Sequence, residues 1–220
     1  VRAAQIDSYG GPDVLRLADI PVPTPGPGEV LVEIHGSSIN PLDIAVRDGW
    51  MQQYAPTPLP LTVGTDVAGV VVEVGEEVTG LAPDEPVYGV AGVVMGGSGG
   101  LAEFSVTRPE LLARPPTDLD LAVAATLPLA GIAALQAVTE DLDVQPGSRV
   151  LVHGAAGGVG LLAVGMAKHL GGYVVATAHG DNVPSASDIG VDAVVDTSET
   201  DLTSLEPFDL TLDLVGEDPV

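Results

Sequence analysis

The sequence predicts a β-rich domain followed by a parallel α/β sheet that stops after its fourth strand. Three observations carry this. Up to about Pro116 the chain is rich in glycine and proline, with short apolar alternations of the strand kind. Beyond Pro116 the apolar spacing lengthens to that of helices. The apolar segment Arg149–His153 then runs into Gly154-Ala155-Ala156-Gly157-Gly158-Val159-Gly160, which opens directly into a helix-forming run over 161–170. The domains are placed at 1–118 and 119–220.

In the first domain, strands are expected at 3–7, 14–19, 29–37, 68–74 and 104–106. Pro21, Pro23, Pro25 and Pro27 punctuate an extended link between two of them. Asn40-Pro41-Leu42-Asp43 has the form of a cap leading into a short helix over 44–47. Asp66 stands at the head of a near-continuous apolar run, the pattern of a buried strand.

Helical spacing covers 119–127 and 128–139, with Pro128 tolerable at a helix start. Four strands then alternate with helical or looser segments: Arg149–His153, Tyr173–Ala178, Ala193–Asp196 and residues 209–214. Such alternation implies right-handed parallel βαβ units. In the usual order 3-2-1-4-5-6, ligand sits where strands 1 and 4 part. Strands 5 and 6 do not follow, so the chain reads as a fragment or truncated gene product.

The glycine cluster carries the chemistry. Ala155, Gly157 and Gly160 fit the pattern G/A-x-G/A-x-x-G. The first allows a tight turn, the second lets backbone approach a pyrophosphate, and the third lets helix pack close to strand. Backbone N–H groups at the new helix N-terminus would face the phosphates with the positive end of the dipole. A flexible turn would share the glycines, but a strand before, a helix after and a second strand at Tyr173–Ala178 supply the context that the motif requires.

Composition excludes several classes. The 220 residues carry a net charge of −24, with Lys168 and six arginines the only full cations. Such a surface repels phosphate backbones, which argues against nucleic-acid partners. No apolar run is long enough to span a bilayer, and residues 1–7 lack a signal-peptide h-region, so no membrane partner is expected. The sequence has no cysteine, hence neither disulfides nor thiolate metal sites. A cytoplasmic enzyme acting on a small molecule is the expectation.

Several stretches together resemble the medium-chain dehydrogenase/reductase superfamily, in its zinc-free quinone oxidoreductase (zeta-crystallin-like) branch. They are Tyr9-Gly10-Gly11-Pro12-Asp13-Val14-Leu15, Pro27-Gly28-Glu29-Val30-Leu31-Val32, Ser37-Ser38-Ile39-Asn40-Pro41-Leu42-Asp43, Gly64-Thr65-Asp66-Val67-Ala68-Gly69, Gly99-Gly100-Leu101-Ala102-Glu103-Phe104 and Ala124-Ala125-Thr126-Leu127-Pro128. The glycine cluster and Leu212-Asp213-Leu214-Val215-Gly216 complete the set. The resemblance implies a GroES-like catalytic domain, a Rossmann domain here truncated after its fourth strand, and a cleft holding the nicotinamide. Members run on for about another half-Rossmann domain, and they are often homodimers.

Zinc-dependent relatives place a Cys where this chain has Asn40 and a His-Glu pair where it has Thr65-Asp66. Asn, Thr and Asp offer no soft donor, and His35, His153, His169 and His179 stand singly, so no metal is expected. Hydride transfer to a quinone or enone would then rely on hydrogen-bond donors. Asn40 is a candidate for orienting substrate or nicotinamide, and equally a helix cap before Pro41. Tyr54 is a candidate proton donor or a rim tyrosine, with Trp50 walling the pocket and Asp43 supporting it. Thr126 and Pro128 match positions approaching the cofactor, or cap and start a helix.

The cofactor-binding set expected from motif and resemblance is Asn40, Thr126, Gly154, Ala155, Ala156, Gly157, Gly158, Val159, Gly160, Leu214 and Val215, with Thr177, His179 and Asn182 near the adenosine ribose. The second strand ends Ala176-Thr177-Ala178-His179-Gly180 without an acid, which favours NADP(H) over NAD(H), although no Arg or Lys stands nearby. A nucleotide-binding protein without turnover and an enoyl-reductase module of a larger synthase are the alternatives.

Overall fold

The computed structural model describes residues 1–180 and 187–216. The chain packs as two units, Val1–Leu129 and Ala130–Val220. The change of unit therefore comes later than the change of apolar period at 116–118. Residues 119–129 are helical in pattern but bury Ala124 and Ala125 in the first unit.

In the first unit, β1 (Arg2–Ile6) lies between β2 (Leu15–Asp19) and β4 (Leu61–Thr62) in an antiparallel sheet. A second antiparallel sheet has the order β7-β3-β5-β6-β8. Its strands are β3 (Val30–Gly36), β5 (Asp66–Val74), β6 (Pro86–Val90), β7 (Phe104–Thr107) and β8 (Leu112–Ala113). Val30, Val32, Val71 and Val87 form the core of this sheet. Ile6, Val46, Leu61 and Val63 form a second core beneath the helix α1 (Pro41–Arg47). That helix begins at Pro41, a turn earlier than expected, because the missing proline N–H costs nothing at a first helical position.

Helix α2 (Leu121–Ala124) is capped by Asp120, whose Oδ1 accepts the Ala122 N–H at 2.7 Å. Ala124 and Ala125 pack on Ala68 of β5. A Cβ on Gly36 would sit 2.9 Å from the Ala122 Cα, so the close approach of α2 to β3 depends on that glycine. The helical pattern over 119–127 thus yields a single turn, and α3 (Pro128–Gln136) starts afresh at Pro128 before widening into a π turn, Ala137–Asp141.

The second unit carries a parallel sheet of order β11-β10-β9-β12: β9 (Arg149–His153), β10 (Tyr173–Ala178), β11 (Ala193–Asp196) and β12 (Leu210–Asp213). This is the expected order 3-2-1-4. Val150, Val152, Val174 and Ala176 pack against Ala163, Val164 and Ala167 of α4 (Gly158–His169). Among the described residues, no helix is long and apolar enough to cross a membrane.

Candidate functional site

Two constellations hold the residues singled out above, one in each unit. The first is the turn after β9. His153 ends that strand, flanked in register by Thr177 of β10 and Asp213 of β12. Gly154 turns the chain with φ of 83°, a left-handed conformation that favours glycine. The tight turn therefore falls at Gly154 and not at Ala155, as the motif alignment had it. Ala155 is instead fully buried against the core of the sheet.

Gly160 meets its expected role, since a Cβ there would lie 2.5 Å from the Gly154 carbonyl oxygen and 2.7 Å from the Ala155 Cα. Ala156, Gly157 and Gly158 form an exposed ridge, and Gly157 caps α4 with no side-chain acceptor. The first-turn N–H groups of Gly158, Val159 and Gly160 belong to a helix end that is uncapped by a side chain and attractive to anions. Leu214 and Val215 stand beside the turn: the space over Gly154 is bounded by the Val215 Cγ2 and Leu214 Cβ at 3.0 and 3.6 Å. The N–H groups of Val215 and Gly216 donate to the Asp213 Oδ1, holding that carboxyl below its usual range.

Thr177 is only 1 % exposed. Its Oγ1 accepts the Gly154 N–H at 3.2 Å and lies 2.6 Å from the His153 Nδ1. The hydroxyl thus anchors the glycine turn to β10 and is enclosed away from the ribose position expected for it. His179 is exposed at the end of β10, its Nδ1 3.3 Å from the Thr197 Oγ1. Asn182 lies outside the described residues.

The second constellation surrounds Asn40 in the first unit. Asp66, 0 % exposed at the head of β5, is its centre. Its Oδ2 accepts from the Ser38 Oγ at 2.6 Å and the Asn40 Nδ2 at 2.9 Å, and its Oδ1 accepts the Leu129 N–H at 3.0 Å. Asn40, 9 % exposed, also donates from Nδ2 to the Ser38 Oγ at 3.1 Å. It is the N-cap of α1 in a capping box, with its N–H on the Asp43 Oδ2 at 2.7 Å. Asp43 in turn accepts the Thr65 hydroxyl at 2.7 Å. Burial pushes the Asp43 carboxyl above its usual range, against the hydrogen bonds from Thr65 and Asn40 and with help from the Asp66 charge.

The positions that carry zinc ligands in other relatives are therefore filled by amide, hydroxyl and a carboxylate whose two oxygens already accept three donors. That set does not fit zinc. It also defines what Asn40 can offer. With Nδ2 committed to Asp66 and Ser38, what Asn40 has left to offer is the acceptor Oδ1, which also faces the Asp43 N–H in the capping box.

Tyr54 is 76 % exposed and Trp50 71 % exposed, at the two ends of one 3₁₀ turn. The Tyr9 hydroxyl holds the end of this loop by donating to the Thr57 carbonyl at 2.8 Å. Thr126 is exposed, its hydroxyl on the Val123 carbonyl at 2.8 Å, and Pro128 is buried at the start of α3. The sequence marked Asp66 as an acid heading a buried strand and as a position where zinc enzymes differ, but not as the centre of a network, and it did not single out Ser38 or Asp196. An acid heading an apolar strand was the available signal for Asp66. For Asp196 there was none short of the strand pairing.

The family described as alcohol dehydrogenase GroES-like domain matches residues 26–117. The chain is 35% identical over 202 residues to "Quinone-oxidoreductase QR1, chloroplastic" from Triphysaria versicolor, covering 89% of this chain and 61% of that one. It is 35% identical over 227 residues to "NADPH-dependent alkenal/one oxidoreductase, chloroplastic" from Arabidopsis thaliana, covering 98% and 58%. The chain thus spans about three-fifths of the length of these curated relatives. The solved quinone oxidoreductase from Coxiella burnetii superposes with a TM-score of 0.89 at 34% identity, over 98% of this chain and 69% of the other. On these matches the chain belongs to the medium-chain dehydrogenase/reductase superfamily, in the quinone oxidoreductase branch.

Proposed function

We propose that the chain serves a zinc-independent, NAD(P)H-dependent oxidoreductase activity that reduces quinones or α,β-unsaturated carbonyl compounds. The observation that carries the reading is the exposed ridge Ala156–Gly157–Gly158 at the uncapped start of α4, set at the ends of β9 and β12. Relatives named for quinones and for alkenals or enones support the substrate class. The Arabidopsis relative's name supports NADPH as reductant, the choice expected from the sequence. The charges at the carboxyl end of the parallel sheet oppose it.

A bound dihydronicotinamide supplies the hydride. The protein's part is to bind and orient. Backbone N–H groups from Gly158 to Gly160 hold the pyrophosphate, and the Thr177–His153–Gly154 bonds, with the Gly157 N–H on the Gly154 carbonyl, keep their turn in shape. Asn40 presents Oδ1 as an acceptor, suited to an amide or hydroxyl donor, and does not itself polarise a carbonyl. That polarisation falls to the Tyr54 phenol or to water. The saturated Asp66 carboxylate makes the chemistry independent of zinc. A cytoplasmic setting and a homodimer belong to the same proposal, the first resting on the lack of cysteine. Both plant relatives bear "chloroplastic" in their names.

Mixing the protein with reduced nicotinamide and a panel of quinones and enones tests the reading. Acceptor-dependent loss of reduced-nicotinamide absorbance is expected, with no change after dialysis against a zinc chelator. Loss of turnover on chelation would overturn the zinc-independent assignment.

A further inference from the structure

The ribose end of the dinucleotide site has an acid after all, contributed by the neighbouring strand. Parallel pairing sets Ala178, the last residue of β10, against Asp196, the last residue of β11. The Asp196 Oδ1 accepts the Gly180 N–H at 3.1 Å, the Ser198 N–H at 2.8 Å and the Ser198 hydroxyl at 2.6 Å. These bonds, the Ser198 hydroxyl foremost, hold the carboxyl below its usual range, so it is an anion at neutral pH. It therefore stands beside the tip of β10, the strand end at which a dinucleotide's adenosine ribose is read.

No lysine or arginine balances it, and beyond its hydrogen bonds the favourable electrostatic influence on it comes from the His179 ring at the end of β10. All seven Lys and Arg side chains of the chain are paired with carboxylates. In the second unit, Arg149 opens β9, and Lys168 pairs with Asp192 just before β11. Both lie at the opposite edge of the sheet from the glycine turn, about 13 Å away for a strand of this length. The carboxyl-end edge carries Asp196 and Asp213, with Asp181 next in sequence after Gly180.

We propose that Asp196 does for β10 what an acid on its own tip does elsewhere, accepting the ribose 2′-hydroxyl, so that the site takes NAD(H) and discriminates against NADP(H). This rests on the dinucleotide reading of the glycine turn and reverses the cofactor preference inferred from the tip of β10 alone. A 2′-phosphate brings between one and two negative charges at neutral pH, about as much as a phosphorylated side chain. Near a fixed carboxylate that repulsion amounts to about tenfold in affinity at low salt.

The test is binding of NADH and of NADPH to the purified protein, followed by nicotinamide fluorescence. NADH is expected to bind about tenfold more tightly in dilute buffer, with the gap closing as KCl is raised. Asp196→Asn keeps an oxygen for the Gly180 and Ser198 N–H groups and is expected to bring the two affinities within about threefold. His179→Arg, which leaves Asp196 untouched, is expected to strengthen NADPH binding severalfold. Equal or tighter binding of NADPH by the unaltered protein overturns the proposal, as does a ratio that neither substitution moves. Binding of neither dinucleotide would remove the reading of the glycine turn as well.

Discussion

Asn40 and Asp66 form a donor–acceptor pair whose polarity can be reversed without changing its shape. Asp66→Asn removes the charge that orients the Asn40 amide, and Asn40→Asp sets two carboxylates against each other in a buried place. Each single change is expected to cost about 2–4 kcal/mol in urea unfolding. The double exchange Asn40→Asp/Asp66→Asn rebuilds the bond in reverse and still presents an oxygen from position 40. It is expected to recover to within about 1 kcal/mol of the unaltered protein, and to recover turnover that the singles lose. A double variant no better than the worse single would show that the pair does not act as a unit. Asp43 makes a pH prediction. Its folded-state carboxyl titrates above the ordinary value, so its contribution to stability is present below that value and lost as pH rises through the raised one. Asp43→Asn should remove this fall from the pH dependence of the urea midpoint. A profile unchanged by the substitution would count against the assignment. The cap of α1 was legible from Asn40-Pro41-Leu42-Asp43, because a cap is a local device. The network around it was not, since Asp66 reaches partners 26, 28 and 63 residues away.

The glycine turn and α4 are where pattern and packing agree best. Gly160 and Gly165 lie in the same helix, yet only the first is needed for its docking. Gly160→Ala would drive a methyl group into the Gly154 carbonyl and is expected to cost about 1–3 kcal/mol while abolishing dinucleotide binding. Nothing lies within 4 Å of a Cβ on Gly165, so Gly165→Ala is expected to stabilise by about 0.5–1 kcal/mol through helix propensity. Thermal unfolding of the two variants side by side checks the contrast, and a Gly165→Ala variant as damaged as Gly160→Ala would defeat it. The strands β9, β10 and β11 were readable to the residue because their apolar runs are bounded by polar or glycine-rich turns. Strand β6 was not, because it opens on Pro86 and contains Gly89, both of which read as punctuation. Gly89 is there for contact: a Cβ would collide with the Leu111 carbonyl at the junction with β8. Strands β4 and β8, two residues each, carry no period that a sequence could reveal.

The sheet order of the second unit followed from alternation and the handedness of crossovers, which is a property of the whole chain and needs no side-chain detail. The division between units did not. It depends on where Ala124 and Ala125 are buried, and the helical period changes before that. Charge acts on the same scale. At −24, self-repulsion opposes compaction, and salt screens it as the Debye length falls from about 30 Å at 0.01 M to 3 Å at 1 M. The urea midpoint is therefore expected to climb with KCl over that range, and a flat or falling midpoint would show that the local ion pairs outweigh the global field. Because every Arg and Lys already has a carboxylate partner, the surface keeps no spare lysine or arginine on which another molecule's acids could settle. In dilute buffer neighbouring molecules should hold each other at a distance, giving light scattering with a positive second virial coefficient that shrinks on adding electrolyte.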